Sequence, residues 1–145
     1  MEKLNIGYML KSVQHTLRQN LNGTLKKVGL TTPQYSALRE LEFEPSSTNS
    51  DLANACFVTP QTMIKILQKL EKAGYVLRES HPSHGLKIIY NLTPTGKRQL
   101  ANAQKRVEAI ETLLIRGLTD SEQQVLKGLL LKCLSNLTND HLDEL

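Results

Sequence analysis

The sequence predicts a mainly α-helical domain with one small β-hairpin, and three observations support this prediction. Leucine dominates an apolar fraction of 39%, while only 4% of residues are aromatic and none is tryptophan. The apolar residues recur at helical spacing in long segments near both ends of the chain. Three of the five prolines follow a threonine directly before such a segment, where they mark helix starts. A chain of 145 residues is long enough to bury one domain core.

The helices are predicted in order from apolar spacing and capping residues. The first three span residues 4–28, 33–42 and 50–57, and the fourth spans residues 60–73. The first carries Leu10, Val13, Leu17 and Leu21 on one face. A fifth helix begins at Pro94, and a leucine-rich sixth begins where Thr119 and Glu122 have the spacing of a capping box.

The fourth helix has clear signals at both ends. Thr59 is a good N-cap, because its hydroxyl can accept a hydrogen bond from an amide of the first turn. Pro60 follows at the first helical position, where the missing N–H costs nothing. Gly74 supplies the left-handed residue that ends the helix. The buried face is predicted to contain Met63, Ile66, Leu67 and Leu70.

The opposite face of this helix carries Gln61, Lys65, Gln68 and Lys72 in a narrow arc, with no acid among them. An ordinary solvated face is the simplest interpretation, but such faces usually mix positive and negative charges. A cationic, amide-bearing face suits contact with phosphates and base edges instead. The neighbouring elements decide between the two interpretations.

Those neighbours complete a DNA-binding unit. The segment DLANACF, the turn VT and the fourth helix read as a helix-turn-helix, whose second helix enters the major groove. Two strands at residues 76–80 and 86–92, joined by HPSHG, then form a hairpin. The combination predicts a winged helix, with recognition helix 60–73 and wing 76–92.

Charge is unevenly distributed along the chain. The net charge is +4 overall, but residues 51–106 hold nine basic and three acidic residues, while residues 107–145 hold three basic and seven acidic residues. This asymmetry indicates a basic working surface in the middle of the chain and a different role for its end.

At these motifs the sequence resembles the multiple-antibiotic-resistance regulator (MarR) family of bacterial repressors. The resemblance is carried by LTTPQYSALREL, DLANACFVTPQTMIKILQKLEKAGYV and LTPTGKR. It implies a homodimer of winged-helix subunits, with residues 30–98 as the DNA-binding part and residues 1–29 and 99–145 as dimerisation helices. It also implies repression at a pseudo-palindromic operator, and release of DNA, as in many members, when a small aromatic or phenolic effector binds.

Roles for the candidate residues follow from position and from the resemblance. Lysines of the fourth helix would meet phosphates, and residues near its N-terminus would meet bases. The resemblance adds Thr59 to the DNA surface and gives Arg78 a supporting role in the hairpin. The predicted DNA-binding residues are Thr59, Gln61, Thr62, Lys65, Gln68, Lys69, Lys72, Arg78 and Lys87.

The wing departs from the family pattern. Members usually carry Asp-Arg or Asp-Arg-Arg before the second strand, whereas this chain has SHGLK, so the arginine that enters the minor groove is missing. Only Lys87 and the histidines can replace it. His81 and His84 are too few for a zinc site, which needs three or four ligands, so neither a metal nor a cofactor is expected.

Two function classes are alternatives to DNA binding. The sequence contains no Gly-rich phosphate loop, H-E-x-x-H or G-x-S-x-G, so no enzyme is expected. A winged helix that contacts only proteins is the stronger alternative, because fold does not fix function.

The two distant cysteines form no disulfide or metal motif, and no apolar run or signal segment is present, which predicts a cytoplasmic protein that does not enter the membrane.

Overall fold

The computed structural model of the protein describes residues 4–138. Its elements are α1 Ile6–Lys26, α2 Thr32–Phe43, α3 Asn49–Ala55, α4 Pro60–Lys72, β1 Val76–Ser80, β2 Ile88–Leu92, α5 Pro94–Leu114 and α6 Asp120–Thr138. Within this part of the chain, the six helices and the antiparallel hairpin predicted from sequence are confirmed. None of these helices is long and apolar enough to cross a membrane.

The chain forms two compact units, one up to Ile110 and the other from Glu111 onward. The core of the first unit lies among α2, α3 and α4, with contributions from α1, the hairpin and α5. Burying this aliphatic surface is the main stabilising contribution to the unit. The largest fully buried side chains are Leu25, Leu38, Leu41, Leu52, Met63, Leu67, Leu70 and Leu100.

Side-chain caps fix the helix starts. Capping boxes pair Thr31 with Gln34 at α2 and Thr48 with Asp51 at α3. At α6, the Glu122 amide donates to the Thr119 hydroxyl at 3.1 Å, which confirms the predicted box. The predicted start of α2 was wrong by one residue, because Thr31 rather than Thr32 is its N-cap.

Helices α1 and α4 are shorter than predicted, spanning Ile6–Lys26 and Pro60–Lys72, and the end of α3 and the start of β2 also differ from prediction. The third helix was expected to reach Phe57 but ends at Ala55, because Phe57 adopts a left-handed conformation with φ of 57°. The second strand was expected to begin at Leu86 but begins at Ile88. The Lys87 amide instead donates to the His84 carbonyl at 2.8 Å, which keeps the preceding residues in the turn.

The start of α5 is fastened to the end of α4. The Thr93 hydroxyl donates to the Gly74 carbonyl at 2.5 Å, and the Thr93 amide donates to the Tyr75 carbonyl at 3.1 Å. Gly96 packs so closely here that a Cβ atom would lie 1.9 Å from the Tyr75 carbonyl oxygen. Only glycine fits this position, which gives the LTPTGKR motif a structural reason.

Both ends of the described chain carry exposed apolar side chains. On the predicted face of α1, Leu17 and Leu21 are half-buried, whereas Leu10 and Val13 are exposed. No residue of α6 is buried. The exposed large apolar residues of α6 are Val125, Leu126, Leu129, Leu130, Leu131, Leu134 and Leu137.

Candidate nucleic-acid interface

Helix α4 separates an apolar face from a cationic face, as the sequence predicts. Met63, Leu67 and Leu70 are almost completely buried against the core. At about 100° per residue, the stripe opposite them contains Gln61, Lys65, Gln68 and Lys72, with Thr62 and Lys69 along one edge. All six of these polar side chains are exposed. The helix therefore presents a continuous polar face that is free to contact a ligand.

The charge of this face is not neutralised within the protein. The side chains of Lys65, Lys69 and Lys72 make no ion pair or hydrogen bond among residues 4–138. The acid of α4, Glu71, falls on the other flank of the helix, beside Ile64. Three unpaired ammonium groups on one helix face are suited to a row of phosphates.

The first turn of α4 is held by its own cap and by α3. The Thr59 hydroxyl accepts from the Thr62 amide at 3.2 Å and lies 3.0 Å from the Thr62 hydroxyl. From α3, the Asn49 side-chain amide donates to the Pro60 carbonyl at 3.0 Å. Gln61 thus projects from a fixed turn, a favourable starting point for a base contact.

The hairpin is anchored to the loop between α2 and α3. The Tyr90 amide donates to the Ser47 carbonyl at 2.8 Å, and the Ser46 amide donates to the Asn91 side chain at 2.7 Å. Arg78 lies opposite Tyr90 in the strand register and is exposed. Arg78 therefore belongs to the hairpin and is separate from the stripe of α4.

Lys87 has an acidic neighbour. Hydrogen bonds from Thr48 hold the pKa of the Asp51 carboxyl below its usual value, and the charge of Lys87 acts in the same direction. Lys87 therefore has an acid within electrostatic range, although the two side chains form no ion pair among residues 4–138. The structure thus distinguishes two kinds of lysine within the predicted set.

The tip of the wing is a closed turn with little charge. The His81 amide donates to the Lys87 carbonyl at 2.7 Å, and the Ser83 amide donates to His81 Nδ1 at 3.0 Å. The two histidine rings lie 5.1 Å apart, and Leu86 is fully exposed. No group of three or more metal-ligating side chains occurs among the described residues.

Three structural contributors were not identified from sequence. Asn49 connects α3 to α4, Gly96 permits the contact with Tyr75, and Asn91 connects the hairpin to Ser46. An Asn directly after a threonine cap and a Gly inside a helical pattern were the available signals. Neither signal identifies its distant partner.

Known proteins resemble this chain in sequence and in fold. A sequence model of the MarR family matches residues 28–85. The HTH-type transcriptional repressor Rv2887 of Mycobacterium tuberculosis (strain ATCC 25618 / H37Rv) is 35% identical over 127 residues, which cover 88% of this chain and 91% of the relative.

Two solved structures resemble most of the chain. The transcriptional repressor CouR, bound to a 23-mer DNA duplex, has a TM-score of 0.81 and 27% identity over 90% of this chain and 92% of CouR. The Mycobacterium tuberculosis MarR family protein Rv2887, in complex with salicylic acid, has a TM-score of 0.73 and 34% identity over 89% of this chain and 96% of that protein.

Proposed function

Because the chain belongs to the MarR family, we propose that it represses transcription in the cytoplasm by binding a pseudo-palindromic operator as a homodimer. DNA-binding transcriptional regulation is the function class of this chain, and its family is one of regulators, not of enzymes. The cationic, unpaired face of α4 is the observation that carries the proposal. The wing would lie beside the same duplex.

The proposed role of each α4 residue follows from its position along the helix. Gln61 and Thr62, in the first turn, would contact base edges, since amide groups can bond a base edge in two places. Lys65, Gln68, Lys69 and Lys72 would contact mainly phosphates, with Thr59 holding the helix start. Phosphate contacts fix the register on the duplex, while base contacts select the sequence.

Dimerisation would cover the apolar surface at the two ends of the chain. The proposal assigns residues 30–98 to DNA binding and residues 1–29 and 99–145 to the dimer. An unpartnered helix as leucine-rich as α6 is unusual in a monomer, because large exposed apolar patches mark interfaces. A two-fold dimer would present its two recognition helices about one DNA turn apart, roughly 10 base pairs.

Release of the operator by a small aromatic effector is the regulatory part of the proposal. The relative Rv2887 forms a complex with salicylic acid. Effector binding would disfavour the DNA-bound conformation by the difference between its affinities for the two states. The effector's identity is open to direct screening.

The decisive experiment is recovery of genomic DNA fragments with the purified protein, followed by affinity measurements at several salt concentrations. A palindrome recovered upstream of a gene, bound with an affinity that falls steeply with salt, is expected. A winged helix that contacts only proteins would recover no enriched motif and would show little salt-dependent retention on duplex DNA. That result would reject DNA binding.

A further inference from the structure

The first turn of α4 is held differently from the rest of the helix. Packing against the core begins at Met63, whose side chain is fully buried, and continues through Ile66, Leu67 and Leu70. The three residues before Met63, at positions 60–62, are all exposed. Apolar burial therefore fixes the later turns of α4, whereas the first turn depends on hydrogen bonds for its position.

One of these hydrogen bonds comes from another helix. The side-chain amide of Asn49, at the start of α3, donates to the Pro60 carbonyl at 3.0 Å. A carbonyl oxygen has two lone pairs, so Pro60 can accept this bond and still accept the helical bond from the Ile64 amide. The bond thus joins the first turns of α3 and α4 without replacing a helical bond.

Helix α3 does not need this bond in order to form. The Asp51 amide donates to the Thr48 hydroxyl at 3.1 Å, and the Thr48 amide donates to the Asp51 carboxylate at 3.0 Å. Leu52 and Ala53 are buried in the core directly after this cap. Because α3 has its own cap and its own core contacts, the side chain of Asn49 serves α4 and not the helix that carries it.

The side-chain oxygen of Asn49 opposes the stabilising effect of the bond. Because the Pro60 carbonyl can only accept, the amide nitrogen of Asn49 has to face it, and the oxygen takes the other side. That oxygen is buried and has no hydrogen-bond partner among the described residues. A buried acceptor without a partner is destabilising. The bond and the unsatisfied oxygen offset each other, so Asn49 contributes little to folding stability.

We propose that Asn49 is a positioning residue for sequence recognition, which holds the first turn of α4 so that Gln61 meets a base edge. The inference rests on the proposed function and adds to it a residue that acts through Gln61. Because Gln61 directly follows Pro60, a shift of the Pro60 carbonyl moves the backbone that carries the Gln61 side chain. A bidentate base contact tolerates little displacement, whereas flexible lysine side chains can still reach phosphates.

The test compares the affinity of the full chain for the operator fragment recovered from genomic DNA with its affinity for an unrelated duplex. The ratio of the two affinities measures discrimination. Asn49→Ala removes the donor and introduces a good helix former. Operator affinity should fall about five-fold, while affinity for the unrelated duplex stays within about two-fold of the parent. The slope of log affinity against log salt concentration should not change, since no cationic group is removed.

Thermal unfolding separates this role from a structural one. Asn49→Ala removes the unsatisfied oxygen together with the donor, so the midpoint of unfolding should stay within about 4 °C of the parent. Asn49→Asp keeps the shape of the side chain but places a carboxylate oxygen against the Pro60 carbonyl, and its discrimination should fall at least as far. Asn54→Ala is the matched control, because Asn54 lies on the same helix, is exposed and makes no side-chain hydrogen bond among residues 4–138.

A double-mutant cycle tests whether Asn49 acts through Gln61. In a Gln61→Ala background the base contact is already absent, so adding Asn49→Ala should change operator affinity by less than about two-fold. In a Lys72→Ala background the loss of about five-fold should remain, because Lys72 lies in the last turn of α4 and would contact a phosphate.

Three results would overturn the inference: unchanged discrimination in Asn49→Ala, equal losses of affinity for operator and unrelated DNA, or an undiminished loss in the Gln61→Ala background. Operator binding by the parent protein is a separate measurement. If the parent binds the operator and Asn49→Ala discriminates as well as the parent does, the inference fails and the proposed function stands. If the parent binds no DNA, the proposed function fails and the inference fails with it.

Discussion

The recognition helix and the wing are adjacent in the chain but differ in the positive charge that they expose. Helix α4 presents Lys65, Lys69 and Lys72 without ion pairs on a helix buried along its opposite face. The wing tip presents the uncharged Leu86, and its single lysine, Lys87, has Asp51 as an electrostatic neighbour. For the proposed mode of DNA binding, the difference predicts that α4 contributes more to affinity than the wing does.

The largest effect is expected at the contact between Gly96 and Tyr75, because this contact supports both the recognition helix and the wing. Gly96→Ala forces a Cβ atom onto the Tyr75 carbonyl oxygen, where helix α4 passes into the hairpin. The free energy of unfolding should fall by about 3 kcal/mol or more, the upper part of the range for overpacking. Chemical denaturation measures this loss.

Gly23→Ala in α1 is the control, because a Cβ atom there meets nothing within 4 Å. It should be neutral or stabilising by up to about 1 kcal/mol, since alanine favours helices more than glycine does. If both variants lost stability equally, the close contact at Gly96 would not be the cause.

The next effect compares one lysine from each region. Lys65→Ala should reduce operator affinity about ten-fold, whereas Lys87→Ala should reduce it about three-fold or less, since Lys87 lies outside the α4 face and has Asp51 as an electrostatic neighbour. The slope of log affinity against log salt concentration should also be about one unit shallower for Lys65→Ala than for the parent. Equal losses of affinity would show that the wing contributes as much to operator binding as α4 does.

A smaller effect should distinguish a base contact from a phosphate contact within α4. Gln61→Ala should relax discrimination between operator and mutated sites by about 1 kcal/mol or slightly more per base pair contacted, because it removes a base contact. Lys69→Ala should weaken all sequences about equally, because phosphates carry no sequence information. Competition binding with single-base-pair variants distinguishes the two. The reverse pattern would mean that the helix is rotated in the groove.

The smallest effect should come from restoring charge to the wing. Gly85→Arg is compatible with the backbone, because Gly85 does not have a positive φ and a Cβ atom there meets nothing within 4 Å. Affinity for sites with A·T-rich flanks should rise a few-fold, since arginine gains from the negative potential of a narrow minor groove. Sites with G·C-rich flanks serve as the control. No preference between the flanks would show that the wing tip does not reach the minor groove.

The sequence alone determined the features that depend on local spacing. Helix caps at Thr59 and Thr119, the left-handed end at Gly74 and the buried and exposed faces of α4 are set by residues within a few positions of each other. Their free energies depend on the backbone of one helix turn, so a single segment contains the information. The resemblance carried by those segments was sufficient to identify the family.

Tertiary structure decided every feature that joins distant segments. Arg18 and Phe57 meet at one cavity, Gly96 meets Tyr75, and Lys87 comes near Asp51 only after α1, the hairpin and α5 have packed around the core. Nothing in the local pattern marks Phe57 as left-handed, because glycine is the residue that usually adopts this conformation at the end of a helix. Long-range contacts of this kind are selected by burial and shape complementarity across the whole fold, which residue spacing along one segment does not encode.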